Sequence, residues 1–141
     1  MKKVSIIYWS NGGNVELLAN CIAEGAEGEG VEVNVKPVID ASHEDIMTAD
    51  AIAIGSPAMV NDDIEQLEMK PFIDSLADLQ IDKKPLVLFG TCGWRDDKFI
   101  YNWEKIMKNY GFKIIGKVVS GESLKSSEIE LAKKLGKEMI K

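Results

Sequence analysis

The sequence predicts an α/β protein in which one parallel, doubly wound sheet carries helices on both faces. Short apolar, β-branched runs recur along the chain, and the longer segments between them place apolar residues at helical intervals. Continuous apolar runs are typical of strands that are buried on both faces, as in a parallel sheet covered by helices. Because the 141 residues contain no internal repeat and no linker, we expect one domain over residues 1–141.

The strands are predicted from runs rich in Val, Ile, Leu and Phe. Each run is short and is bounded by polar residues or glycine, as strands usually are. The predicted strands are Val4–Tyr8, Val31–Val35, Ala51–Ile54, Leu86–Phe89 and Lys113–Val119.

The helices are predicted from apolar residues spaced three and four apart. Gly30 follows the first helix and Gly111 the fourth, as a glycine often does at a helix C-terminus. Ser42 begins a short second helix, with Asp45 three residues later as a weak capping box. The other predicted helices are Asn14–Glu29, Pro71–Leu79, Phe99–Tyr110 and Leu124–Lys141.

Strict alternation of strands and helices favours an open sheet with right-handed crossovers. Two strand orders are common for such sheets, the dinucleotide-binding order and 2-1-3-4-5. In both, ligands bind at the carboxyl ends of the strands, where the strand order reverses. We therefore expect the functional site in the loops that follow strands one, three and four.

The charge balance excludes some classes of partner. The chain has 23 acidic and 17 basic residues, a formal charge of −6 and a single arginine, Arg95. Nucleic acids are held by clustered Lys and Arg, so no nucleic-acid partner is expected.

The apolar runs are too short to span a membrane, and no signal peptide is expected at the start of the chain. Cys21 and Cys92 are predicted to be free thiols in a cytoplasmic protein.

The loop after the first strand has the composition of a phosphate cradle. It reads Ser10-Asn11-Gly12-Gly13-Asn14-Val15 and leads into the first helix. Glycines allow several backbone N–H groups to point at one anion at the positive end of a helix. The loop has neither the lysine of a Walker motif nor the spacing of GxGxxG. An ordinary strand-to-helix turn with Asn14 as N-cap is the alternative.

The other two loops each carry a large side chain that could cover a ligand. Met59 follows the third strand, where it either covers a ligand or fills a gap in the core. Trp94 follows the fourth strand, between a glycine and a charged run, and either offers its indole for stacking or folds back over the sheet edge.

Taken together, these three loops resemble those of a short-chain flavodoxin from about Lys3 to the C-terminus. Residues 8–14, Tyr-Trp-Ser-x-x-Gly-Asn, resemble the FMN phosphate loop. Ala58-Met59 and Gly93-Trp94 resemble the loops that flank the flavin, and Trp103-Glu104 falls where the family has a similar helix. The resemblance implies a three-layer sandwich, a five-stranded sheet in order 2-1-3-4-5, and FMN as cofactor.

The resemblance also implies where FMN would lie. Its phosphate would lie on Ser10–Val15 and its isoalloxazine between Met59 and Trp94, with Asp62 at flavin N3 and Thr91 to Gly93 at the pyrimidine end. The implied cofactor-binding residues are Ser10, Asn11, Gly12, Gly13, Asn14, Val15, Ser56, Pro57, Ala58, Met59, Val60, Asn61, Asp62, Gly90, Thr91, Cys92, Gly93, Trp94 and Asp97.

The sequence departs from the family pattern at two places. Gly12 and Val15 stand where the family usually has threonines, so we expect weaker phosphate binding than in relatives with both hydroxyls. Val60 stands where close relatives have glycine, and a β-branched residue resists positive φ. Asn61 tolerates that conformation, so a type II turn across Met59–Asp62 remains available. On reduction, the Val60–Asn61 peptide is then expected to rotate from a type I to a type II turn, with its carbonyl accepting a hydrogen bond from flavin N5.

The function implied by the resemblance is one-electron transfer rather than catalysis. An acidic monomer would carry low-potential electrons between larger redox enzymes, meeting basic patches on them. Two alternatives remain. One is a small FMN-dependent reductase or a flavodoxin that activates ribonucleotide reductase, and the other is a related module that has lost FMN.

Overall fold

A computed structural model describes residues 2–11 and 13–141. Strands and helices alternate along the chain, as the sequence predicts. The strands are β1 (Lys2–Tyr8), β2 (Val31–Pro37), β3 (Ala51–Pro57), β4 (Pro85–Gly93) and β5 (Lys113–Gly121). The helices are α1 (Asn14–Ala26), α2 (His43–Met47), α3 (Met69–Asp74), α4 (Lys98–Asn109) and α5 (Ser126–Glu138).

The five strands form one parallel sheet in the order β2-β1-β3-β4-β5. This arrangement confirms the predicted fold class and decides between the two strand orders that the sequence left open. The order reverses beside β1, because β2 lies on one side of it and β3 on the other. The carboxyl ends of β1 and β3 therefore border the point at which such a sheet binds ligands.

Alternate strand residues form a separate core on each face of the sheet. On one face, α1 and α5 pack against residues such as Ile6, Ala53 and Phe89. On the other, the three remaining helices pack against residues such as Ile7, Ile54 and Leu88. Because adjacent strand residues are buried on opposite faces, the sheet has no polar face, which explains the continuous apolar runs.

Several boundaries differ from the predicted ones. Helix α1 ends at Ala26 rather than Glu29, because the chain must turn before β2, and Gly30 takes a left-handed φ of 73° within that turn. Helix α3 begins and ends earlier than predicted, and the chain beyond it continues in turns that still bury Leu76. A short 3₁₀ helix at Val38–Asp40 gave no recognisable signal in the sequence.

The predicted capping box of the second helix is present. Ser42 is the N-cap of α2, its backbone N–H donates to Asp45 Oδ2 at 2.9 Å, and both halves of the box are formed. Among the helices in the described ranges, none is long and apolar enough to cross a membrane.

Candidate functional site

A cavity of about 250 Å³ lies at the carboxyl edge of the sheet, where the sequence predicts the site. It is bounded by the loop between β1 and α1, the ends of β3 and β4, and the chain that follows β5. The lining residues are Ser10, Asn11, Asn14, Val15, Pro57, Thr91, Gly93, Gly121 and Glu122. Seven of these nine belong to the predicted cofactor-binding set, so the fold brings the three predicted loops to one place.

The N-terminus of α1 faces this cavity without a side-chain cap. Gly13, with φ 110°, is the N-cap, and no side chain in the described part of the chain caps the first turn. The alternative in which Asn14 caps the helix is therefore wrong, because Asn14 is the first helical residue and its Nδ2 donates to the Glu122 carbonyl oxygen at 3.0 Å. The first N–H groups of a helix have no partner within it, so this turn offers donors to an anion.

The same loop is held in place from two sides. The Gly13 N–H donates to Ser10 Oγ at 3.2 Å, and the Trp9 N–H donates to the Gly55 carbonyl oxygen at 3.0 Å. Gly12, a predicted phosphate-loop residue, lies outside the described residues. The N–H groups of the first turn of α1 have no acceptor within the helix, and the loop before them is fixed. This arrangement fits a phosphate group.

The segment between β3 and α3 folds back on itself. The Met59 N–H donates to the Asp63 carbonyl oxygen at 2.7 Å, and the Ala58 N–H donates to that of Thr91 at 2.8 Å. Asn61 has φ 67°, a left-handed conformation that asparagine tolerates, and Asp62 also has a positive φ of 54°. Val60 is not among the residues with positive φ, in keeping with its β-branched side chain.

The side chains of this segment differ in their exposure. Met59 and Asp62 are half-buried, whereas Val60 is 67% exposed. Ser56, a predicted cofactor-binding residue, is fully buried, and its Oγ accepts from the Glu65 N–H at 2.9 Å. Its side chain therefore supports the loop from inside the protein rather than lining the cavity.

Trp94 projects into solvent beside the cavity. Its side chain is 80% exposed, so it does not fold back over the sheet edge, and the Arg95 guanidinium lies 5.1 Å from the centre of its ring. An exposed indole next to an open cavity can stack on a planar ring. Asp97, the last predicted site residue, is exposed at the N-cap position of α4.

The remaining predicted residues at the end of β4 are less accessible than Trp94. Gly90 is buried, and a Cβ there would lie 2.2 Å from the Ser56 carbonyl oxygen, so this glycine serves close strand packing. Cys92 is a free thiol, as predicted, and its Sγ lies 3.5 Å from the Ser120 carbonyl oxygen. Burial raises the pKa of the Cys92 thiol, which makes it a poorer nucleophile.

Two lining residues, Gly121 and Glu122, were not predicted. Gly121 ends β5 and Glu122 follows it, and this strand is distant in sequence from the other loops but ends at the same sheet edge. The signal that could have found them is the topology itself, because all parallel strands present their carboxyl ends on one edge.

The fold and the site together define a class of protein, one that can hold a phosphate-bearing cofactor with a planar ring. The sheet is doubly wound, and an uncapped helix N-terminus and an exposed indole lie at its carboxyl edge. The flavodoxin family model matches residues 6–136 of the chain. A flavodoxin of Clostridium beijerinckii is 34% identical over 112 residues, which cover 79% of this chain and 80% of that protein. A flavodoxin of Megasphaera elsdenii is 31% identical over 119 residues, which cover 84% and 86%.

The structural comparison agrees with the sequence comparisons. The solution structure of two-electron reduced Megasphaera elsdenii flavodoxin matches with a TM-score of 0.86 at 29% identity, covering 97% of this chain and 98% of that chain. The chain belongs to the flavodoxin family, a family of FMN-binding electron carriers.

Proposed function

We propose that this protein binds FMN in the cavity at the carboxyl edge and carries one electron at a time between redox enzymes. The observation that carries the proposal is the position of the cavity, which lies between the uncapped N-terminus of α1 and the loop that presents Trp94. One side suits a phosphate and the other suits a planar ring, and FMN contains both groups.

The phosphate is assigned to the loop of residues 10–15. Backbone N–H groups of the first turn of α1 would bind it, with Ser10, Asn11 and Asn14 lining the cavity around it. Val15 also lines the cavity and offers no hydroxyl, which supports the expectation of weaker phosphate binding than in relatives with threonine there.

The ring is assigned to the space between Met59 and Trp94. The half-buried Met59 would contact one face and the exposed Trp94 indole the other, with Asp62 at the N3 edge and residues 91–93 at the pyrimidine end. Since Asn61 already has the positive φ that the third residue of a type II turn requires, the rotated state of the Val60–Asn61 peptide demands no positive φ of Val60.

Bound FMN supplies the redox chemistry, since its ring accepts and releases electrons one at a time. The chain sets how readily each electron is accepted. Asp62, within a chain of net charge −6, disfavours further negative charge at the ring and lowers the potential of the second step. For a one-electron step, a tenfold change in equilibrium constant corresponds to about 59 mV, so modest charge effects are measurable.

The partners are proposed to be redox proteins with basic docking patches. The net charge of −6 supports this, because complementary charge raises association rates and weakens as salt rises. We further propose that the protein is a cytoplasmic monomer. The free thiols of Cys21 and Cys92 support the cytoplasmic location, because they suit a reducing compartment.

The test is titration of the apoprotein with FMN and with riboflavin, followed by stepwise anaerobic reduction of the complex. We expect FMN to bind at least tenfold more tightly than riboflavin, because only FMN carries the phosphate, and reduction to proceed in two separated one-electron steps. Equal affinity for both ligands would contradict the phosphate assignment, and no uptake of FMN would favour the module that has lost it. Rapid direct oxidation of NADH or NADPH by the complex would favour the reductase.

A further inference from the structure

We propose that Glu65 is the positioning residue that holds the loop of residues 57–64 in place for the flavin. This inference rests on the proposed FMN site. Glu65 lies beyond the predicted site residues and does not line the cavity, so it would act through the loop rather than by touching the cofactor.

The Glu65 carboxylate is buried, and its partners among the described residues are backbone groups. The residue is 3% exposed, and both carboxylate oxygens accept main-chain N–H groups. Oε2 accepts from Leu67 at 2.7 Å, and Oε1 accepts from Glu68 and Met69 at 2.8 Å each. No ion pair to Glu65 is formed within the described ranges of the chain. A buried carboxylate with three N–H partners fixes the backbone around it.

The main chain of Glu65 closes the loop onto the sheet. Its N–H donates to the buried Ser56 Oγ at 2.9 Å, and that hydroxyl donates to the Pro57 carbonyl oxygen at 2.9 Å. The end of the loop is thus joined to its beginning at the end of β3. One residue holds the loop through its backbone and the start of α3 through its side chain.

The same segment is connected to the loop that follows β1. The Trp9 Nε1–H donates to Glu68 Oε1 at 2.7 Å, and the Glu68 backbone N–H is one of the three groups bound by Glu65. A shift at Glu65 would therefore reach Trp9, which directly precedes the residues assigned to the phosphate. The carboxylate links the two halves of the proposed FMN site.

Apolar packing anchors this segment at its end but not along its exposed part. Ile64 is 3% exposed and belongs to the core, whereas Val60 is 67% exposed and Leu67 is 86% exposed. A groove of about 270 Å³, lined by Asp63, Ile64, Trp103 and Tyr110, lies beside the end of the loop. The exposed part of the loop therefore depends for its position on the polar contacts of Glu65 and on the 3.4 Å ion pair between Lys70 and Asp63.

The decisive experiment uses the Glu65→Gln variant. The glutamine oxygen can still accept from Glu68 and Met69, but its NH₂ group then faces the Leu67 N–H, so a donor meets a donor. We expect FMN to bind at least tenfold more weakly and the two one-electron midpoint potentials to shift relative to each other, because Met59 and Asp62 move with the loop. Ser56→Ala, which removes the acceptor for the Glu65 N–H, is expected to shift both quantities in the same direction by a smaller amount.

The matched control is Asp45→Asn, which alters the other strongly buried carboxylate in the described ranges, at the capping box of α2 and outside the cavity. It should lower the stability of the protein and leave FMN affinity within about twofold and the potentials unchanged. Unchanged potentials in Glu65→Gln, or shifts of equal size in Asp45→Asn, would overturn the inference and leave the proposed function standing. A parent protein that binds no FMN would overturn both.

Discussion

The two helical layers of this protein are built differently, although they cover the two faces of one sheet. In the first layer, α1 and α5 touch each other backbone to backbone. A Cβ at Gly25 would lie 2.0 Å from the Lys133 carbonyl oxygen, and one at Gly136 would lie 2.1 Å from that of Ile22. In the second layer, α2 and α3 are short, and the groove of about 270 Å³ remains beside α4.

The difference indicates that the first layer contributes most to the stability of the protein, whereas the second layer contains segments whose position can change. Close-packed helices resist displacement, because any shift costs many contacts at once. The second layer instead contributes the loop of residues 57–64, which is held by a few hydrogen bonds and one buried side chain, that of Ile64. Substitutions in the first layer should therefore change stability, and those at the carboxyl edge should change ligand binding.

The largest effect is expected from Gly136→Ala. The added methyl group would collide with the Ile22 carbonyl oxygen, and α5 would have to move away from α1. We expect a loss of at least about 2 kcal/mol in the free energy of unfolding, because overpacking outweighs the roughly 1 kcal/mol that alanine gains over glycine in a helix. Urea denaturation of the apoprotein measures it.

The control for that variant is Gly28→Ala. A Cβ at Gly28 would meet its nearest neighbour, Val31 Cγ2, at 3.7 Å, which is an ordinary contact, and Gly28 is not among the residues with positive φ. Equal stabilities of the two variants would show that the contact between α1 and α5 adjusts freely, which would remove the contrast between the layers.

A smaller effect, on binding rather than stability, is expected from Trp94→Ala. Because the indole is 80% exposed, its loss should change the stability of the apoprotein by less than about 0.5 kcal/mol. FMN affinity should fall between tenfold and a hundredfold, which corresponds to about 1.4–2.8 kcal/mol of lost stacking and contact area. Tyr101→Ala, at an exposed aromatic residue of α4, a helix that contributes no residue to the cavity lining, should leave affinity unchanged. Similar losses in both variants would contradict the stacking role.

The smallest effect is a pH dependence that belongs to the second layer. Burial by itself raises the pKa of Asp45, but the Lys36 ammonium and the Ser42 N–H outweigh it and hold that pKa below the ordinary value. The folded pKa is therefore lower than the unfolded one, so the stabilisation is present above about pH 4 and is lost as the pH falls through the folded pKa.

Asp45→Asn should accordingly destabilise the protein at pH 7 and progressively less as the pH is lowered below 4. Urea denaturation of the parent and the variant at pH 7 and at pH 3 measures the difference in the free energy of unfolding. Asp78→Asn, at an exposed carboxylate, should show no such trend. A difference between parent and Asp45→Asn that stays constant down to pH 3 would assign the effect to packing rather than charge.

The sequence was informative wherever the signal was local. Glycine and serine after β1, the apolar strands and the Ser42–Asp45 capping box all act over a few neighbouring residues, and the structure contains each of them. Glu122 has no local signal, because it reaches the cavity only through the topology of the sheet. Glu65 gave no pattern either, since it binds backbone N–H groups, which every residue except proline possesses.

Helix boundaries show the same limit. Asn14 is a good N-cap residue by type, yet Gly13 occupies that position because the loop enters α1 with a φ of 110° that favours glycine. Local propensity predicted that a helix begins here, and the path of the chain between β1 and α1 decided at which residue.

The pairing of β4 with β5 limits how the length of the loop after β4 can vary. Thr91 pairs with Ser120 and Gly93 with Gly121, so Cys92 is an extra residue without a counterpart on β5. Removing or adding one residue here would change the register of Gly93 against Gly121 and would displace Trp94, which directly follows Gly93. The number of residues between Thr91 and Trp94 should therefore tolerate no change, although Cys92 pairs with no residue of β5.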